Sequence, residues 1–145
     1  MSPKSRKVHN DLDGRNEVTR INVVPVSELC DQHLLAEFRE LTRIPNCVLS
    51  GKLKTNYKDM PADYVLGPGH VKFFVNKLGW LEQRYDELYR ECVARGFNVT
   101  KIFPSDELRN SKISINGWAV SDNAVRINRE RIKVRMPQRP RWTVK

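Results

Sequence analysis

From residue 19 onward, apolar side chains recur every three or four positions in separate stretches, which is the period of helices with one buried face. Cys30, Leu34, Phe38 and Leu41 make the first stripe. Ser27 suits the N-cap of that helix, which is expected to run to about Thr42 and to be stopped by Pro45. Beside this core stripe lies a polar one, His33, Ala36, Glu40 and Arg43, with Arg39 next to it. The strongest period follows. Val71, Phe74, Leu78, Leu81, Tyr85, Leu88 and Cys92 predict a central helix of about 25 residues ending in a basic turn at Arg95 and a stop at Gly96. A third helix is expected from a Ser121 cap to about Arg135, ended by Pro137. Between these, residues 46–69 read as a surface loop. Residues 97–120, with Pro104 and Gly117, read as an irregular segment whose Phe97, Ile102, Phe103 and Trp118 pack onto the helices, as does Trp80.

The expected fold is therefore all-α: a compact three-helix single domain over residues 19–145, preceded by a disordered extension over residues 1–18. Residues 1–17 carry four basic and three acidic side chains, with only Val8 and Leu12 as sizeable apolar groups, too few to offset the entropy of ordering. The length of 145 residues suits one core, and no apolar run approaches the roughly 18 residues of a membrane span. The first ten residues lack the apolar stretch of a secretory signal, so no export is expected. Cys30, Cys47 and Cys92 form no paired motif and read as reduced, partly buried thiols, consistent with a cytoplasmic, nucleoid-associated protein.

Charge changes the picture. Against 17 acidic residues stand 26 Lys and Arg, a formal net charge of +9. From Arg126 to Lys145 there are eight basic residues and one acid, Glu130, so one helix and the tail behind it hold most of the excess. A solvated basic face is the plain reading of such a run. Its one-sidedness favours binding to the phosphate backbone of a nucleic acid, where each neutralised phosphate releases counterions.

Four segments resemble a known family: TRIN (19–22) with VSELCDQHLLAEFREL (26–41), LGPGHVKFF (66–74), ECVARGFN (91–98), and Arg131 with QRPRW (138–142). They are similar to the phage-type pyrimidine-dimer DNA glycosylase/AP lyases; residues 101–118 do not match, and the loop after Cys47 is shorter. The resemblance implies a compact helical domain whose N-terminal segment threads between helices to reach the active site. The implied substrate is double-stranded DNA containing pyrimidine dimers or abasic sites, bound by a monomer without cofactor or metal. Catalysis would be by Thr19, through its α-amine, and by Glu40, the carboxylate that stabilises charge on the sugar and moves protons. An α-amine suits imine formation because its pKa of about 8 leaves roughly a tenth of it neutral at pH 7. Arg20, Gln32, Arg39, Arg43, Arg131 and Arg135 would contact DNA, with Arg135 standing where the family has lysine. His33 is a weaker candidate for placing substrate, and His70 reads as structural. Without the resemblance, Glu40 would pass for a surface carboxylate paired with Arg43.

In this chain Thr19 is internal, and an amide nitrogen is no nucleophile. The expectation is that translation begins at residue 18, where Val18 stands for the family's initiator Met, or that residues 1–18 are removed by proteolysis. Residues 8–16 faintly resemble the first half of an HNH metal-nuclease motif but lack its second ligand group. The chain runs only three residues past Trp142, where the family's tail continues, which bears on lesion specificity. Two alternatives stand beside the dimer enzyme: a non-catalytic basic DNA- or RNA-binding protein, and a glycosylase/AP lyase for another lesion.

Overall fold

A computed structural model describes residues 19–144. The extension expected over residues 1–18, with its half-motif, lies outside the described residues. Among those described, all regular structure is helical: a 3-10 turn Val26–Glu28, α1 Asp31–Glu40, α2 Arg43–Leu49, α3 His70–Phe74, α4 Leu78–Ala94, α5 Ser105–Asn110 and α6 Asp122–Val134. None of these helices is long and apolar enough to cross a membrane.

The helices are shorter and more numerous than the three expected. The first expected helix divides into the 3-10 turn and α1, with Cys30 rather than Ser27 as N-cap. Pro45 does not stop a helix. It occupies the first turn of α2, where a missing N–H breaks no hydrogen bond. The long central helix breaks at residues 75–77 into α3 and α4. There the Lys77 ammonium donates to the Phe73 carbonyl at 2.8 Å and to Asn76 Oδ1 at 2.9 Å, satisfying a carbonyl that the broken helix leaves open. The apolar period hides this break because Phe74, Val75 and Leu78 are all fully buried on either side of it.

The expected core stripes are nonetheless buried in one cluster, each large apolar side chain contributing about 1.5–3 kcal/mol. α1 packs on α4, where Phe38 stacks on Tyr85 with ring centroids 4.7 Å apart. Phe73, Phe74, Trp80 and Trp118 form a second aromatic group, as expected of the two tryptophans. Ile102 is the exception in residues 97–120: it is 62% exposed, while Phe97 and Phe103 pack against the core. The three cysteines are free and buried, and burial pushes the Cys92 thiol up to about 11.

Two irregular segments are held by side chains instead of by secondary structure. Residues 19–24 run past α1, α3, α4 and α6, and their backbone groups find partners on each. Ile21 N–H donates to His70 Nε2 at 3.0 Å, and Tyr64 Oη donates to the Ile21 carbonyl at 2.8 Å. Val23 and Val24 N–H both donate to Asn128 Oδ1, at 2.7 and 3.1 Å, and Arg84 Nη1 donates to the Val24 carbonyl at 2.6 Å. A buried segment outside helix or sheet needs such partners, because each unmet group costs about 1–3 kcal/mol. The C-terminal segment docks on the start of α1 in the same way. Asp31 N–H donates to the Arg141 carbonyl at 2.6 Å, its carboxylate accepts from Thr143 and from Arg95, and Trp142 Nε1 donates to the Glu28 carbonyl at 3.1 Å.

Candidate active site

Where the N-terminal segment meets α1 and α6 there is a pocket of about 230 Å³. Arg20 and Asn22 line it from the segment, His33, Ala36, Glu37 and Glu40 from α1, and Arg131, Ile132 and Arg135 from α6. The polar stripe of α1 thus forms one wall, and the basic helix forms the other. On α6, Asn128, Arg131 and Arg135 share a face through their spacing of three and four residues.

Where the segment meets α1, Arg20 N–H donates to Glu40 Oε1 at 3.3 Å, and Arg43 Nη1 donates to Thr19 Oγ1 at 3.4 Å. Glu40, 21 positions along the chain from Thr19, is therefore hydrogen-bonded to the very next residue. Thr19 itself is buried. Burial raises the Glu40 carboxyl above its ordinary value, opposed by the Arg20 N–H and by the guanidinium groups of Arg43, Arg20 and Arg39. The result is a half-buried carboxylate ringed by cations, a better proton acceptor than an exposed glutamate.

The other α1 carboxylate on the pocket wall is engaged. Glu37 forms a buried ion pair with Arg84, Nε to Oε2 at 2.9 Å, and accepts from Asn22 Nδ2 at 2.9 Å. His33 Nε2 lies 3.1 Å from the Arg135 carbonyl, an acceptor, so that nitrogen carries the proton; its Nδ1 meets no partner among the described residues. Arg20 Nε, likewise, has none among them. His70 is fully buried behind the segment. Because Nε2 accepts from Ile21, Nδ1 carries the proton and donates to the Val65 carbonyl at 2.7 Å. Burial, joined by the nearby charges of Arg131 and Arg20 and opposed by the Val65 contact, pushes its pKa down to about 4.

Of the expected site residues, Thr19, Arg20, Glu40, Arg43, Arg131 and Arg135 converge on this corner of the molecule. Arg39 is exposed on α1 outside the pocket lining. Gln32 stands apart, since its side chain donates to the Arg139 carbonyl at 2.8 Å and accepts from Arg141 N–H at 3.2 Å. Gln32 therefore holds the basic C-terminal segment. The sequence reading missed Asn22, Glu37, Arg84 and Asn128. Only the position of Asn128, one turn before Arg131, hinted at the last of these. Among the described residues no cluster of His, Cys, Asp and Glu is placed to hold a metal ion.

Comparison with known families matches residues 18–105 to the one described as pyrimidine dimer DNA glycosylase. The match begins one residue before Thr19 and takes in the N-terminal segment, all of α1 and α4, and the residues that bind Thr19 and Glu40 together. A match over more than half of the sequence, which takes in the segment and α1 on one side of the pocket but not α6 on the other, places the chain among DNA N-glycosylases: it belongs to the pyrimidine dimer DNA glycosylase family.

Proposed function

We propose that this chain excises cyclobutane pyrimidine dimers from duplex DNA and then nicks the abasic site, using the α-amine of Thr19 once residues 1–18 are absent. The observation that carries this reading is the 3.3 Å hydrogen bond from Arg20 N–H to Glu40, which sets a cation-ringed carboxylate beside Thr19. The start of the family match at residue 18 supports it as well.

In this reading the neutral Thr19 amine attacks C1′ of the damaged nucleotide. The bond from C1′ to the base breaks with its electron pair leaving on the base, one proton passes from nitrogen to Glu40 and on to the ring oxygen as the sugar ring opens, and a protonated imine remains. Glu40 offsets the positive charge on the sugar and accepts that proton. The imine then draws electrons from C2′ as a proton leaves it, and the bond from C3′ to its phosphate oxygen breaks. Water finally releases an unsaturated aldehyde and restores the amine. Arg131 and Arg135 hold flanking phosphates, Arg43 holds Thr19, Arg20 adds charge from the pocket wall and Arg39 from the exposed face of α1, and Gln32 acts through the tail it anchors. Every group named comes from one chain, so a monomer suffices.

Borohydride trapping on dimer-containing duplex DNA, comparing the full chain with a form beginning at Thr19, tests this. The expected result is an adduct mapped to Thr19 in the shorter form only. Tight binding with no adduct in either form would leave a non-catalytic DNA-binding protein. An adduct on abasic but not on dimer DNA would mark a lyase for another lesion.

A further inference from the structure

We infer that Asn128 is a positioning residue for the nucleophile: it holds the segment that starts at Thr19 in register with the DNA-facing arginines of α6. The inference rests on the Thr19 reading above.

Asn128 is fully buried, the only polar residue of α6 so enclosed. Its Oδ1 accepts from Val23 N–H at 2.7 Å and from Val24 N–H at 3.1 Å, and its Nδ2 donates to Asn22 Oδ1 at 2.7 Å. These three bonds fix which way the amide faces. Asn22 passes the connection on to Glu37 of α1, and Glu37 to Arg84 of α4. The segment is thus bolted to α6 at Asn128.

Catalysis needs two frames to agree. Phosphates gripped by Arg131 and Arg135 place the lesion's sugar relative to α6, while the amine is placed by whatever holds residues 20–24. His70 and Tyr64 tie Ile21 to α3 and the preceding loop, which carry none of the arginines expected at DNA. Asn128 ties the same segment to the helix that does carry them, one turn from Arg131. A slip of one residue along an extended chain moves an atom by about 3.3 Å, and a displacement of about 1 Å is enough to cost a reaction of this kind about 100-fold.

The form beginning at Thr19 keeps every residue of the buried core, which runs from Ile21 to Ala124. In that form, single-turnover borohydride trapping and DNA affinity are measured on one dimer duplex for the parent, Asn128→Ala and Asn128→Asp. Asn128→Ala is expected to slow trapping by about 30- to 100-fold while the Kd stays within about threefold, since no charge is removed. Asn128→Asp keeps an acceptor for both N–H groups and is expected to return the rate to within about tenfold of the parent. Should Asn128→Ala be unfolded by circular dichroism, Asn128→Thr, similar in volume but with a single short acceptor, takes its place with the same expected split. An unchanged rate, or a loss of affinity in step with the rate, would overturn the positioning role alone. No adduct from the parent would sink the Thr19 reading, and this one with it.

Discussion

Two ionisable side chains, Glu40 on the pocket wall and His70 behind the segment, have pKa values that burial moves in opposite directions. Glu40 is pushed up: burial raises its pKa and surrounding guanidinium groups restrain the rise. The acid limb of a single-turnover pH profile should therefore lie above the ordinary glutamate value of 4.5, and Glu40→Gln should erase that limb while lowering the rate by about 10²- to 10⁴-fold with DNA affinity retained. A limb that survives in Glu40→Gln would assign it to another group. His70 is kept neutral, with burial pushing its pKa from 6.5 down to about 4. Below pH 6.5 the unfolded chain binds a proton that the folded chain refuses, so stability falls as pH drops from 6.5 to about 4, by on the order of 3 kcal/mol across that window. Urea titrations at pH 7 and pH 5 should show this loss in the parent and a smaller one in His70→Gln; equal losses would mean His70 is not the titrating group. His70 was legible as a structural histidine beside a glycine turn, but its partner, 49 residues away, was not.

Helix ends and breaks decide where the working faces point. Gly79, in the first turn of α4, looks like a position where alanine would gain about 1 kcal/mol of helix propensity. A Cβ there would sit 2.9 Å from the Asn116 carbonyl and 3.0 Å from that of Ile115, in the strand of chain that also accepts from Trp80 N–H. Gly79→Ala should therefore lower Tm, with a change in tryptophan fluorescence as Trp80 and Trp118 shift; a raised Tm would show that residues 115–116 yield freely. Ser121 has the opposite character, an expected cap that is present. Its Oγ accepts from Ala124 N–H at 3.0 Å and donates to Asp63, tying α6 to the long loop. Ser121→Ala should cost about 1–2 kcal/mol in chemical denaturation, and a cost near zero would mean that α6 is held by its other contacts alone.

For the molecule as a whole, the excess of positive charge should appear in the salt dependence of DNA binding. Arg131→Ala and Arg135→Ala are each expected to reduce the slope of log K against log salt by about 1, on undamaged and damaged duplex alike. A slope left unchanged would place that guanidinium away from phosphate. Charge of this kind is additive along the chain and could be read directly, as could the all-helical class, the core stripes, the Ser121 cap and, through local motifs, the family. These depend on near neighbours, since an amphipathic period reports on one face of one helix. The helix break at residues 75–77 escaped that reading because Phe74, Val75 and Leu78, buried on both sides of it, keep the period. The polar framework escaped it for another reason. Glu37 with Arg84, and Asn128 with Val23 and Val24, meet across 47 and about 105 residues, and nothing local to either partner marks the pairing. Which carboxylate of α1 would be consumed by an ion pair and which left at the pocket beside Thr19 was settled only when the chain closed around the segment at residues 19–24, because burial and partner geometry are properties of the packed molecule.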